Sequence, residues 1–363
     1  GCLTPCPRRH KTPQPSLPIP PPSSCARDRN YLANADTGQY AGRTPLTLFR
    51  QLGGALGAGV ITRIVRGYTF LSRNHNPGDR IVLVGFSRGA YTVRALAGLI
   101  VTKGLIDSAA LAKNDAYQLG AAAWYAYRHD VAARKGFLTH LADIVDNLPG
   151  FVSDAVPASA WVRPVEVGAI GVWDTVGALG IPEYRDDERE DVFAFADTIL
   201  GDHVRHGFHA ISLDDQRKDF APTLWQPRIN VVQRLFPGAH ADVGGGYPAG
   251  QESGLSNVAL NWMTGQLSNL TDIRIAFAQS APPGNALGIA HQPWLSGPFA
   301  LRPTGSRTFC RDYPGIAVHA SVFARIDHSV KADPTLDPAA YYPTPCAACD
   351  NKPTGPDQAC AAR

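Results

Sequence analysis

Three residues of the types used in nucleophilic catalysis lie far apart in the sequence: Ser87, Asp174 and His240. A serine hydroxyl becomes a nucleophile when an imidazole takes its proton as a general base, and a carboxylate can hold that imidazole in the required tautomer. We therefore identify these residues as candidate catalytic residues for acyl transfer through a covalent acyl-enzyme.

The serine lies in the sequence GFSRG, residues 85–89, which matches the pattern Gly-x-Ser-x-Gly. On a sharp turn from a strand into a helix, residues without bulk two positions before and after the serine let the two backbones approach each other. Gly85 and Gly89 meet that requirement and are predicted to support the turn. The same turn points the backbone N–H of Arg88 at the position where an oxyanion would form over Ser87. An ordinary structural turn is the alternative interpretation.

Each candidate lies at or just beyond the end of an apolar run that predicts a buried strand: residues 81–84, 165–176 and 229–235. The carboxyl ends of parallel strands meet at one edge of a sheet, so the three side chains can converge there. The order serine, aspartate, histidine along the chain is also that of an α/β-hydrolase. We predict an α/β fold of this type, with a mainly parallel sheet and helices on both faces.

Helical periodicity predicts further elements around these strands: residues 46–71, 192–211 and 253–270. The second of these helices would carry His203, His206 and His209, which we interpret as structural histidines. Residues 105–160 form an alanine-rich and aromatic insertion with one or two amphipathic helices. This insertion either covers the active site or packs on the sheet in the ordinary way.

Each candidate catalytic residue has a structural alternative. Asp174 could cap a turn at the end of its strand, and His240 could be a structural hydrogen-bonding residue in a glycine-rich loop. Asp242, two residues after His240, could orient the imidazole or hold the loop. His-x-Asp can also form part of a metal site, but no other His/Asp pair stands at ligand spacing, so no metal or other cofactor is predicted.

The composition argues against several classes of protein. The 363 residues can bury one large core, and the net charge of +3 comes without a basic stripe of the kind that binds nucleic acid. No apolar run is long enough to span a bilayer. We therefore predict no nucleic-acid partner, and one catalytic domain over residues 31–300.

The two ends of the chain differ from this domain. Residues 1–30 are rich in proline and predict an exposed tether, and residues 301–363 predict an irregular, cysteine-containing extension. The seven cysteines are confined to these ends: Cys2, Cys6, Cys25, Cys310, Cys346, Cys349 and Cys360. This distribution favours disulfides formed in an oxidising compartment, with a zinc site at residues 346–349 as the alternative. Gly1-Cys2 before the tether resembles the junction at which a bacterial lipoprotein signal is cut and the cysteine is acylated.

Three longer blocks resemble the signature blocks of one family: GFSRGAY at residues 85–91, VWDTVG at residues 172–177 and FPGAHADVGGGY at residues 236–247. These α/β-hydrolases include the type VI secretion phospholipase effectors of Gram-negative bacteria. The resemblance extends over residues 31–262. Carried over position by position, it implies Ser87 as the nucleophile, Asp174 as the acid and His240 as the base.

The resemblance also implies a function. It indicates a serine ester hydrolase acting on lipids, with phospholipase A-type cleavage of acyl esters and no metal. The expected partners are a lipid or other acyl-ester substrate, a membrane surface bound peripherally or through an anchor on Cys2, and a secretion or immunity protein. The implied location is the periplasm or outer membrane of a Gram-negative bacterium, or outside the cell after secretion.

The chain departs from the family pattern before Ser87. Members usually open with an apolar strand that ends in Phe-Asp-Gly-Thr, and residues 1–45 contain no such sequence. The loop after that strand would supply a second oxyanion donor, and loss of one donor typically costs roughly 10²- to 10³-fold in turnover. Either another loop supplies that donor, the chain is a truncated version of the domain, or the domain is degenerate and slow. The missing strand motivates one alternative function, a catalytically weak or inactive envelope-associated binding protein of the same fold. His240 and Asp242 motivate another, a metal-dependent hydrolase.

Overall fold

The computed structural model describes residues 54–113, 116–135, 160–162, 165–176, 199–273, 275–307, 309, 316–326, 328–334, 336–341 and 343. Several predictions lie outside these residues: the proline-rich tether, the lipid anchor on Cys2, the pairing of all seven cysteines and the missing opening strand.

The strands are β1 (Ile81–Phe86), β2 (Leu105–Ile106), β3 (Trp161–Val162), β4 (Val167–Trp173), β5 (Val204–Ser212), β6 (Val231–Phe236), β7 (Ala317–Val318), β8 (Ser329–Val330) and β9 (Ala339–Ala340). The helices are α1 (Gly54–Asn74), α2 (Arg88–Lys103), α3 (Ser108–Lys113), α4 (Ala116–Lys135), α5 (His240–Gly244), α6 (Gly254–Ser268) and α7 (Ala320–Arg325).

The main sheet of the described residues has five strands in the order β1-β4-β5-β6-β7, and every neighbouring pair is parallel. The pairs β2-β3 and β8-β9 are small antiparallel sheets. Because the five strands of the main sheet run the same way, their carboxyl ends lie at one edge. In open α/β sheets this edge is where ligands bind.

Side chains of the main sheet enter apolar cores on its two faces. Ile170 and Val172 of β4 join a core with α1, α2 and α4, whereas Ala169 packs with Met263 of α6. The approach of α6 is close, since a Cβ at Gly171 would come within 2.8 Å of Met263 Sδ. Helices therefore cover both faces, which explains why the central strands read as continuous apolar runs.

The prediction of a helix over residues 192–211 is wrong for residues 204–211, which belong to β5. This strand lies between β4 and β6, so most of it is buried. His209 breaks its apolar run in sequence, but the ring is buried and bonded, with Nε2 accepting from the N–H of Thr175 and Nδ1 lying 3.3 Å from Gln233 Oε1. Burial lowers the pKa of His209 to about 3, so the ring enters the strand uncharged.

The described part of the predicted insertion packs as ordinary structure. Ala123, Trp124 and Tyr127 of α4 belong to the same buried core as α1 and α2. Residues 136–159, which complete the insertion, lie outside the described ranges. Across those ranges, no helix combines the length and the apolar character needed to cross a membrane.

Regular structure continues beyond residue 300. β7 pairs with β6 at the edge of the main sheet, and Val318 and Val322 pack with Leu235 in a third core. The expectation of an irregular extension therefore does not describe residues 316–326. A strand of two residues and a helix of six are too short to show a periodic pattern in the sequence.

Candidate active site

Ser87 occupies the sharp turn between β1 and α2. Its backbone has φ 58° and ψ −127°, in a region that favours glycine and is costly for a residue with a side chain. The Ser87 N–H donates to the carbonyl of Trp173 at 3.0 Å, which ties the turn to the end of β4. Arg88 is the first residue of α2, so its N–H belongs to the amino end of that helix.

The two glycines of the motif differ in their surroundings. A Cβ at Gly85 would lie 2.5 Å from the carbonyl oxygen of Gly89, so the close approach of strand and helix requires glycine there. A Cβ at Gly89 would meet nothing within 4 Å among the described residues. The steric reason predicted for glycine therefore applies at position 85 and is wrong at position 89.

The three candidate side chains meet at the carboxyl edge of the sheet. His240 Nε2 lies 2.7 Å from Ser87 Oγ, and His240 Nδ1 lies 2.6 Å from Asp174 Oδ2. An ionised carboxylate can only accept hydrogen bonds, so Nδ1 carries the imidazole proton and Nε2 is left to accept the serine proton. This is the arrangement in which a histidine can act as a general base.

Asp174 is completely buried at the end of β4, with φ 35°. Its Oδ1 accepts from the backbone N–H of Ser212 at 3.0 Å and from Arg307 Nη1 at 2.8 Å, and its Oδ2 accepts from Arg307 Nη2 at 3.0 Å. Burial alone would raise the pKa of Asp174, but Arg307 and His240 together hold that pKa well below its ordinary value. The carboxyl group is therefore ionised at neutral pH.

Arg307 and the aromatic side chains around the imidazole were not identified from the sequence. The ring of His240 contacts the ring of Phe86, with centroids 4.5 Å apart, and the ring of Phe220, with centroids 5.0 Å apart. Phe220 in turn contacts Phe299, at 5.6 Å. Phe86 lies in the GFSRG motif, but at a position where the pattern allows any residue. The other three residues lie outside every motif, so only their contacts in the folded site single them out.

Asp242 holds the loop and does not contact the imidazole of His240. Its Oδ2 accepts from the backbone N–H of Ala239 and from that of His291, and its Oδ1 lies 2.7 Å from His291 Nδ1. Burial opposes protonation of His291, but hydrogen bonds to Asp242 and Glu252 raise its pKa. Of the two roles considered for Asp242, the geometry fits that of fixing the loop.

The backbone N–H of His240 is also fixed, because it donates to Asp215 Oδ2 at 3.0 Å. Asp215 is buried and pairs with Arg217, whose guanidinium lies over the Phe220 ring at 3.4 Å. His206 makes a separate surface contact with Asp272, away from this network. Within the described ranges, no three His, Cys, Asp or Glu residues are grouped so that they could hold a metal ion.

The parallel sheet, the strained serine turn and the converging histidine and aspartate define an α/β-hydrolase-like protein, as predicted. The family described as the type VI secretion phospholipase effector Tle1-like catalytic domain matches residues 30–266, and the chain belongs to this family. The resemblance drawn from three sequence blocks is thereby confirmed.

Other similar proteins are longer than this chain. An uncharacterised protein of Saccharomyces cerevisiae, YEL023C, is 27% identical over 174 residues, which cover 48% of this chain and 22% of that protein. A solved structure of an uncharacterised Pseudomonas aeruginosa protein is 18% identical, with a TM-score of 0.25, covering 60% of this chain and 27% of the other. The Tle1 effector solved in complex with the VgrG spike is 19% identical, with a TM-score of 0.27, covering 53% and 31%. The chain spans less than a third of each of these proteins.

Proposed function

We propose that this chain hydrolyses acyl esters of glycerophospholipids, in the manner of a phospholipase A, through Ser87, His240 and Asp174. The observation that carries the proposal is the continuous chain of contacts from Ser87 Oγ through the imidazole to Asp174. Membership of a family of phospholipase effectors supports lipid hydrolysis as the activity.

In the proposed reaction Ser87 Oγ attacks the ester carbonyl carbon while His240 Nε2 takes the hydroxyl proton. The C–O bond of the ester then breaks, and the imidazolium gives that proton to the departing lysophospholipid alcohol. Water, deprotonated by the same nitrogen, then attacks the acyl carbon of the acyl-serine. The bond to Ser87 Oγ breaks, the imidazolium returns the proton to that oxygen, and the fatty acid leaves. The N–H of Arg88, at the positive end of α2, would stabilise the oxyanion in both steps.

Labelling with a fluorophosphonate tests this function, because only an activated serine reacts with it. The expected result is one covalent adduct on Ser87, detected by peptide mass spectrometry. Hydrolysis of phosphatidylglycerol and phosphatidylethanolamine vesicles should fall in proportion to the fraction of the protein that is labelled. Hydrolysis that persists after treatment and disappears in chelator would favour the metal-dependent alternative. Absence of both labelling and hydrolysis would favour the inactive binding protein.

The rim of the site supports a lipid as the substrate. Phe299 contacts Phe220, which in turn contacts the imidazole of His240. The segment around Phe299 carries two exposed aliphatic side chains: Leu295 is 65% and Leu301 is 94% exposed. The sequence of residues 293–301, PWLSGPFAL, contains no charged residue. Exposed apolar side chains beside a catalytic site are suited to contact with acyl chains at a membrane surface.

Replacing Leu295 and Leu301 together with serine is expected to lower the hydrolysis of phospholipid vesicles by about tenfold or more, since contact with acyl chains would bury both side chains. Turnover of a short, water-soluble acyl ester should stay within about twofold. Ile229→Ser is the matched control: Ile229 is fully exposed but lies before β6, at the opposite edge of the sheet. An equal loss on both substrates would contradict contact of this rim with lipid.

Location and partners extend the same proposal. The family is one of secreted effectors, and the Tle1 relative is solved on a VgrG spike. We infer a similar delivery route here, with envelope phospholipids as the target and an immunity protein as a further partner. Acylation of Cys2 is a separate proposal, and a mass spectrum of the native protein in which Cys2 is unmodified would rule it out.

A further inference from the structure

Arg307 donates hydrogen bonds to the proposed catalytic aspartate from both terminal nitrogens of its guanidinium. Nη1 and Nη2 donate to Oδ1 and Oδ2 of Asp174 at 2.8 and 3.0 Å. The same two nitrogens also donate to the carbonyls of Ser212, at 2.7 Å, and Phe220. The arginine is buried, so these contacts are shielded from water.

We propose that Arg307 is a positioning residue for the reaction. It fixes the plane of the Asp174 carboxylate toward His240 and partly compensates the negative charge of that carboxylate. The resting site therefore stabilises the protonated form of His240 less than an unpaired carboxylate would. The inference rests on the proposed function of Ser87, His240 and Asp174.

The physical basis is that Asp174 Oδ2 is shared between Arg307 and His240. A lone buried carboxylate would strongly favour a protonated imidazole, and a histidine that stays protonated cannot accept the Ser87 proton. A permanent positive charge on the far side of the carboxylate opposes that protonation. It also keeps Asp174 ionised at low pH, as the lowered pKa of that residue requires.

The other charged and titratable groups near this pair have their own partners. Asp214 accepts from the Gly238 N–H and the Tyr341 hydroxyl, and burial raises its pKa to about 6. Asp215 accepts from the backbone of His240 and forms an ion pair with Arg217. His209, on the neighbouring strand, is buried and neutral, because burial lowers its pKa to about 3. Among the described residues, Arg307 is therefore the cation that pairs with Asp174.

Arg307 comes from beyond the matched family domain, which ends at residue 266. Its segment is attached to the loop after β5 at two points: the Gly305 N–H donates to the Gln216 carbonyl at 2.8 Å, and Arg302 pairs with Asp219. The segment is thus anchored beside the site by one backbone hydrogen bond and one ion pair. The site as a whole depends on residues that the domain boundary leaves out.

The test is the pH dependence of the second-order rate of fluorophosphonate labelling at Ser87, in the full chain. Arg307→Met should move the acid limb of this profile to higher pH by about one to two units, because a nearby charge typically shifts a titration by that amount. Arg307→Lys should keep the wild-type midpoint but lower the maximal rate roughly tenfold, since a lysine keeps the charge and loses the planar fork.

Arg325→Met is the matched control for loss of a buried guanidinium. Arg325 is also fully buried, but it donates to the carbonyls of Ala286 and Gly288 and does not contact Asp174. It should lower the melting temperature and leave the midpoint of the profile unchanged. A shift equal to that of Arg307→Met would assign the effect to general loosening of the fold and overturn the inference.

Further outcomes separate a failure of this inference from a failure of the proposed function. If Arg307→Met folds and keeps the wild-type midpoint, the inference is wrong. If Arg307→Met does not fold, the inference is wrong when Arg307→Lys is labelled at the wild-type rate. If wild type is not labelled at all, the proposed function fails on its own. The downfield NMR resonance of the proton between His240 and Asp174 then tests Arg307 independently, because its titration should move to higher pH in Arg307→Met and an unmoved titration would refute the role.

Discussion

Ser87→Ala is expected to lower kcat/KM for both phospholipid vesicles and a short soluble acyl ester by about 10⁴-fold or more. The substitution removes the oxygen that would form the acyl-enzyme, and His240 cannot replace it from its position 2.7 Å behind that oxygen. What remains is oxyanion stabilisation and substrate binding. Initial rates of fatty acid release from purified wild type and variant measure the effect.

Ser256→Ala serves as the control for this change. Its hydroxyl donates to the carbonyl of Ser253 near the start of α6, far along the chain from the serine turn. Its activity should remain within about twofold of wild type. Activity of Ser87→Ala equal to that of this control would show that Ser87 is not the nucleophile.

Asp174→Asn is expected to have the second largest effect, with kcat reduced by about 10⁴-fold. An amide can donate a hydrogen bond to Nδ1, which would place the imidazole proton on Nε2 and leave no acceptor for Ser87. The buried charge of Arg307 would also lose its carboxylate partner. Breaking a buried pair on one side typically costs about 3–5 kcal/mol of unfolding free energy.

Rates at several pH values and urea unfolding curves measure the two parts of this prediction. Because the pKa of Asp174 is depressed in the folded state, its contribution to stability is present above the unfolded pKa and is lost as the pH falls through the folded one. The stability of Asp174→Asn should therefore vary less in acid than that of wild type. Asp272→Asn, which removes an exposed pair with His206 and Arg205, should cost no more than about 1 kcal/mol. A fully active Asp174→Asn would contradict the assignment.

The pattern around Ser87 could be predicted because its causes are local. A strand, a turn without room for a Cβ at position 85 and a helix follow one another within about twenty residues. The positions of Asp174 and His240 followed from one additional rule, that parallel strands end at the same edge. The predicted family is confirmed by the match over residues 30–266, and the predicted α/β class by the parallel sheet with helices on both faces.

What could not be predicted depends on contacts between distant segments. Strand β5 was predicted as a helix because its histidines interrupt the apolar run in the sequence. Only the hydrogen-bond partners of His209 in the folded sheet explain how that residue can be buried. Arg307 lies 133 positions from Asp174 in a segment without periodicity. The open space at Gly89 is likewise a property of the folded surroundings and not of the motif.

Among the described residues, Ser87 and Asp174 are the non-glycine positions with positive φ. Each such conformation costs of the order of 1–3 kcal/mol. At Asp174 the carboxylate also pairs with the buried Arg307, so the side chain has a structural partner there. At Ser87 glycine would adopt the same backbone conformation without that cost, and the turn itself does not require a side chain. At position 87 the demands of folding and of the proposed reaction therefore oppose each other.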